Sequence, residues 1–359
     1  MSITMLLKYI SLSVNLAAAA TCVAISAAPL PDLPEPVTNN AVASTSIRGK
    51  TYIVSLMGMG PGKTHSDIHN KVFMHTLGEF GWQSLPAVPS QQRLGGRLAA
   101  SAVALNNNFF VFGGYAVNAD GSEQTAADSY RLDPVTQRYT KLNDIPVPVD
   151  DAVALTYQNR YIYLISGWSD HGNVNLVQVF DNYTQRWSQA TPYPGKPVFG
   201  LAGAMIDNQM LLCDGVALKY FSDKKREYQS EAACYLGSVT DNANKIDWRL
   251  VPHPDGKARY RMAGINAVVN GEEMMVFIGG SQNPYNYNGI GYNQQPSAPD
   301  TKVWLYSPKQ QRWLDAAPTT AVMDLRGLIN LDGAIYSVGG MVEQQQVSNK
   351  LIKHTIKLQ

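Results

Sequence analysis

The residues with the most chemical potential fall in two groups. Carboxylates and guanidiniums recur along the chain: Arg93 and Arg97, Asp150 and Asp151, Arg259 and Arg261, then Asp324 and Arg326. Carboxylates can pass protons, and guanidiniums grip carboxylates in two-pronged pairs. The second group is residues 281–296, uncharged and alternating aromatics with amides through Tyr285, Asn286, Tyr287 and Asn288. Aromatic faces stack on sugar C–H faces and amides bond hydroxyls in both directions, so this mixture suits a carbohydrate. Other chemistry is poorly represented. His65 and His69 are four apart with nothing nearby to complete a metal set, and no Gly-x-Ser-x-Gly elbow or phosphate-cradling glycine loop is present. No metal and no cofactor is expected.

Composition narrows the partners. The chain has 359 residues, 29 basic and 28 acidic, for a formal charge of +1. That balance gives no electrostatic footprint for nucleic acid or an anionic membrane. Lys8, an apolar stretch over residues 9–25 and the small residues Ser26, Ala27 and Ala28 read as a secretory signal over residues 1–27. An exported, periplasmic protein occupying residues 28–359 is expected, with no membrane association after signal removal. In an oxidising compartment, Cys213 and Cys234 are either a cross-strand disulfide or two buried thiols.

A repeated unit must position these residues. Its clearest copy begins at Arg97: a small-residue strand over 97–105, a turn at 106–108, an apolar strand at 109–112 closed by Gly113-Gly114, a third strand at 129–132, and a fourth from Tyr139. The glycine mark recurs at Gly58 to Gly60, Gly167, Gly215, Gly279-Gly280 and Gly339-Gly340, which makes six. The aromatic mark recurs at Trp82, Tyr139, Trp187, Trp248 and Trp313, which makes five. Six units spaced by roughly 50 residues predict an all-β, six-bladed propeller of the Kelch type. The missing aromatic unit lies at the C-terminus, while Leu30-Pro31-Asp32-Leu33-Pro34 resembles the end of a fourth strand. The N-terminal segment is therefore expected to supply the outer strand of the last blade and close the ring, removing an open sheet edge.

In such a blade, the loop after strand two shares a face with the start of strand one. The polar openings of the first strands and the loops bearing Tyr115, Trp168, Asp170, Asp214 and residues 281–296 should ring one mouth of the channel, the expected ligand site. Arg97, Arg261 and Arg326 are expected to bind an anionic group there, and Asp151 to transfer protons.

The mature chain resembles the bacterial N-acetylneuraminate epimerases. The resemblance lies in the Leu30-Pro31 start, the Arg-x-x-Ala-x-Ala opening at Arg97, Phe110-Val111-Phe112-Gly113-Gly114, Met262-Ala263-Gly264, Val276-Phe277-Ile278-Gly279-Gly280 and the Asn/Tyr loop before Val303-Trp304. It implies interconversion of sialic acid anomers, which needs a base for the anomeric hydroxyl and an acid for the ring oxygen. In that family a glutamate follows the glycine of blade four, with an arginine a few residues on. Here Cys213-Asp214-Gly215-Val216 puts valine at that place. The family pattern implies Asp214 as the substitute carboxylate and Arg226 as the arginine. A non-catalytic propeller binding a glycan or a protein is the rival reading. A copper-radical oxidase would need a Tyr–Cys crosslink and further His and Tyr ligands, which the scattered histidines do not suggest.

Overall fold

The computed structural model describes residues 30–221 and 226–359; the expected signal segment lies outside them. Residues 31–359 form one compact unit. Alternating apolar residues and tight turns give antiparallel meanders, and six of these stand around a common axis. Blade one is Ala41–Ile47, Lys50–Met59, Ile68–Thr76 and Gln83–Leu85. Blade two is Ser101–Leu105, Asn108–Phe112, Ser129–Asp133 and Arg138–Lys141. Blade three is Val153–Tyr157, Tyr161–Ile165, Val177–Asp181 and Arg186–Gln189. Blade four is Ala202–Ile206, Gln209–Cys213, Cys234–Val239 and Ile246–Val251. Blade five is Ala263–Val269, Glu272–Ile278, Val303–Ser307 and Arg312–Leu314. Blade six has three strands among the described residues, Ile329–Leu331, Ala334–Val338 and Leu351–His354. The fold is a six-bladed β-propeller, as its repeat predicts.

First strands line a central channel of about 280 Å³ with Ala, Gly, Ser and Val. Larger side chains would collide there; a Cβ on Gly203 would stand 2.6 Å from Val153 Cγ1. Between blades, each aromatic of strand four reaches back to a carbonyl of the preceding blade's tail. Tyr139 donates to Pro86 (3.2 Å), Trp187 to Asn143 (3.0 Å), Trp248 to Thr191 (3.4 Å) and Trp313 to Pro252 (2.7 Å). The plate thus buries apolar area and satisfies its polar handle in one contact.

Ring closure uses the same grammar. Trp82 of blade one donates to Pro31 at 2.9 Å, so the N-terminal segment stands where a preceding blade's tail belongs. Leu33 N donates to Asn349 O as Ile145 N does to Ala127 O, and Gly340 N donates to Val37 O as Gly114 N does to Val149 O. The segment is extended coil, not a ladder strand, and this corrects the expectation of an outer strand over residues 30–36. Three prolines, Pro31, Pro34 and Pro36, lack the N–H groups a ladder needs. Leu33 and Val37 are buried with Val42 and Ile53 of blade one and Ile329 and Val338 of blade six.

Two ring positions repeat in the left-handed backbone region. Met57, Gly113, Ser166, Asp214, Gly279 and Gly339 close the second strands with φ between 57° and 77°. Asn39, Ala99, Asp151, Gly200, Arg261 and Asp324 open the first strands with φ between 49° and 65°. Because Ala99 shares it, this conformation belongs to the fold rather than to a site. It lets Asp151 N bond Ala99 O, Gly200 N bond Asp151 O and Arg261 N bond Gly200 O, a belt around the axis. Of the belt residues, only Asn39, Asp151, Arg261 and Asp324 are polar, and they carry their side chains to the mouth.

Candidate functional site

The belt's polar members form a buried charge layer. Arg261 donates from Nη2 to Asp151 Oδ2 at 2.8 Å and from Nη1 to Asp324 Oδ1 at 3.0 Å. Arg326 Nη2 stands 3.0 Å from Asp151 Oδ1 and 3.4 Å from Asp324 Oδ1, and also donates to Asn39. Thr38 and Asn39 donate to Asp324 Oδ2. Tyr260 and Tyr285 flank Arg261, with ring centroids 4.7 and 5.3 Å from the guanidinium carbon. Burial pushes the Asp151 carboxyl up, but Arg261 and Arg326 outweigh it and hold it below the usual range. Two cations and two anions cancel.

Above this layer lies a cavity of about 80 Å³ at the mouth. Asp151 and Arg261 belong to both its lining and that of the channel, so the layer separates the two. Three short elements raise the walls. The hairpin Tyr115–Val117/Glu123–Thr125 carries Tyr115 and Glu123, the short hairpin after Gly167 carries Trp168, and the hairpin Val216–Tyr220/Arg226–Ser230 carries Tyr228. The loop of blade five adds Tyr292, stacked on Tyr228 with centroids 3.8 Å apart. Phe199 and Asp150 open blades four and three.

Asp150 is the chemically distinctive wall. It is buried, and Thr125 Oγ1 donates to its Oδ2 at 3.1 Å. Burial, reinforced by the Asp151 charge beside it, holds its carboxyl well above the usual range, with the Thr125 hydroxyl opposing. Glu123 stands at the rim; burial against the cavity raises its carboxyl too, with Arg261 opposing. Two carboxyls on one cavity, one of them raised well above its usual range, are the kind of acid–base pair that ring opening of a sugar requires.

The expected site residues separate. Asp151, Arg261 and Arg326 meet at the mouth, but as partners of one another. Only Nε of each arginine lacks a hydrogen-bond partner among the described residues. Both Nη atoms of Arg261 are bonded to carboxylates of the protein, with which a ligand carboxylate would have to compete. Arg97 does not join them. It is the repeat equivalent of Arg259, two positions before the belt, and is buried against Pro89 O (3.0 Å) with Asp128 at 3.9 Å. Burial lowers its guanidinium's pKa, with Asp128 opposing.

Asp214 is absent from the cavity lining. It fills the slot that glycine holds in blades two, five and six, and its carboxylate turns between blades four and five. There Arg259 N donates to Oδ2 at 2.7 Å, and His253 Nε2 lies 2.7 Å from Oδ1. Gly256 N donates to His253 Nδ1 at 2.8 Å, so the proton resides on Nε2 and faces Asp214. Arg226 is exposed at the outer end of the blade-four hairpin. In the Asn/Tyr run, Tyr285 is buried beside Arg261 and Asp324, and Asn286 lines the cavity. Asn288 is spent on its own turn, accepting from Ile290 N at 3.0 Å. Tyr287 packs with the mouth's apolar cluster. Glu123, Tyr228 and Tyr292 were not singled out in the sequence; only the position of Tyr292, inside the aromatic–amide loop, pointed to it.

Cys213 and Cys234 face each other across strands two and three of blade four and are joined in a disulfide. Among the described residues, a Tyr–Cys crosslink of the radical-oxidase type has no free thiol to use. The disulfide also removes Cys234 as a metal ligand beside Asp214 and His253.

With this geometry in hand, three comparisons bear on kinship. No family model matches the chain. Kelch-like protein 15 of Danio rerio is 22% identical over 305 residues, covering 80% of this chain and 45% of that protein. Kelch domain-containing protein 3 of Bos taurus is 25% identical over 262 residues, covering 68% and 64%. The chain thus spans between about half and two thirds of these relatives' length. The solved structure of YjhT superposes with a TM-score of 0.69 at 17% identity, covering 92% of this chain and 99% of that one. The fold is a six-bladed β-propeller, and the chain is similar in sequence to Kelch-repeat proteins. Its blade marks define the scaffold, and the cavity's own residues must supply the function.

Proposed function

We propose that this Kelch propeller is an exported sugar mutarotase, interconverting the anomers of N-acetylneuraminate or a related sugar at its mouth cavity. The observation that carries this reading is the buried Asp150, its carboxyl pushed well above the usual range, facing the same cavity as the rim carboxyl of Glu123. Glu123 takes the anomeric hydroxyl proton as the ring C–O bond breaks and a carbonyl forms. Asp150 gives its proton to the leaving ring oxygen. Rotation about the freed carbon and the reverse transfers close the other anomer, and no electrons leave the sugar. Each positioned group contributes about 10²–10⁴-fold. Trp168, Tyr228 and Tyr292 offer faces to the sugar ring, and no cofactor takes part. The resemblance to the N-acetylneuraminate epimerases supports the reaction class, and the signal-like residues 1–27 support export to the periplasm.

The test is NMR: a single anomer of N-acetylneuraminate, released from a sialoside, is followed with and without the purified protein. Faster decay of this sugar or of a related one in its presence, lost in Asp150→Asn, is the expected result; unchanged decay of them all at high protein concentration overturns the reading. A non-catalytic glycan-binding propeller is the second reading. It is favoured by Val216, fully buried where the epimerases place glutamate, and by the exposure of Arg226. Sugar binding without acceleration would establish it.

A further inference from the structure

Among the sugars that the mutarotase reading allows, the charge pattern of the mouth cavity matches a cationic one better than an acidic one. Its ionisable side chains, apart from the phenols, are the carboxyls of Asp150, Asp151 and Glu123 and the guanidinium of Arg261. Arg261 is already committed on both Nη atoms to Asp151 and Asp324. No cation is therefore left over on these walls for a substrate carboxylate, while two carboxyls, Asp150 and Glu123, have no cationic partner in hydrogen-bond contact among the described residues. Asp150 is 4% exposed, and its only side-chain partner among the described residues is the Thr125 hydroxyl on Oδ2.

The rest of the lining is aromatic. Tyr115, Trp168, Phe199, Tyr228 and Tyr292 are half of the lining residues. Phe199 meets Trp168 edge-on at 5.5 Å and Tyr228 at 6.1 Å, while Tyr228 and Tyr292 stack into one plate. Aromatic faces edged by carboxylates are the common chemistry of ammonium recognition: the ring quadrupole attracts the cation and the carboxyl completes its shell. The cavity's size fits an end of a ligand rather than a whole one. At about 10–15 Å³ per water-sized group, 80 Å³ accepts roughly five to eight such groups.

We propose that the mouth cavity takes the ammonium-bearing end of an amino sugar, with the amine on the carbon next to the anomeric centre. Resting on the mutarotase reading, this names the substrate class of the same site. Asp150 and Glu123 must reach the anomeric centre to act, and in so small a cavity an amine that they also contact lies one carbon away. The ammonium sits among Trp168, Phe199 and the Tyr228–Tyr292 plate, with Glu123 at the rim.

The test compares glucosamine with N-acetylglucosamine, which has the same ring without the charge, and with N-acetylneuraminate. Binding to the purified protein is measured by calorimetry and anomer exchange by NMR. Glucosamine should bind about tenfold more tightly than N-acetylglucosamine. Glu123→Gln, a rim change that leaves the core intact, should erase most of that preference. Equal binding of the two sugars, or preference for N-acetylneuraminate, overturns the inference even if exchange is accelerated. Preferential glucosamine binding without acceleration upholds the inference and overturns the mutarotase reading instead.

Discussion

At the scale of single residues, Asp150 and Asp151 show how neighbours diverge. One has its carboxyl pushed well above the usual range by burial and the charge beside it; the other is held below that range by two guanidiniums. Asp150 therefore carries a cost in stability. Its folded value lies above the ordinary 3.8, so the native protein keeps a proton that the unfolded chain releases. Stability contributed by this group is intact below about pH 3.8 and is lost as pH rises from there through the folded value. Asp150→Asn, which keeps an acceptor for Thr125 without an ionisable proton, should raise Tm at pH 7 and leave it unchanged at pH 3. The same variant should slow mutarotation by about 10²–10⁴-fold. A lower Tm at pH 7 would show that Asp150 is ionised in the native protein. Asp151 and Asp324 could not be exchanged so freely, because removing either strands a buried arginine.

At the scale of elements, the six glycine marks and five aromatic marks made the blades legible, because each answers a steric or hydrogen-bonding demand that recurs. The site was harder to read for the same reason. Arg97 and Arg261 both open first strands, yet they differ by two positions in the repeat, which turns one between blades and the other to the mouth. Asp214 follows an apolar second strand as a glycine would, and that equivalence, rather than catalysis, explains where its carboxylate points. The cavity walls come from hairpins inserted after strand two, and insertions carry no repeat to align; Glu123 and Tyr228 were invisible for that reason. Blade four has a further constraint in its disulfide. Cys213 and Cys234 are 21 positions apart, closing a loop that includes the Tyr228 hairpin. Reduction should lower the unfolding free energy by about 3 kcal/mol, read from denaturant curves with and without reductant. Coincident curves, with two free thiols titrated in the unreduced protein, would disprove the bridge.

For the whole molecule, closure decides stability. Leu33 is 1% exposed and joins blades one and six although it belongs to neither one's ladder. Leu33→Ala should cost about 2–5 kcal/mol, as for a core leucine, in equilibrium unfolding. A dangling tail would cost nothing. The charge layer spans the ring in the same way, since Asn39, Asp151, Arg261 and Asp324 come from blades one, three, five and six. The mouth is complete only when all of these blades are seated.

The latch also sets an order in time. Asn349 Nδ2 donates to Leu33 O across 316 positions of chain. Until the strand Leu351–His354 and the residues just before it have been delivered, the N-terminal segment is fastened to blade one alone. A chain emerging end first, from a ribosome or through a narrow pore, remains an open fan whose early blades can still be drawn out straight. Such long-range pairing is slow to find. The fastening that makes the finished ring durable is also what leaves it threadable until its final residues arrive.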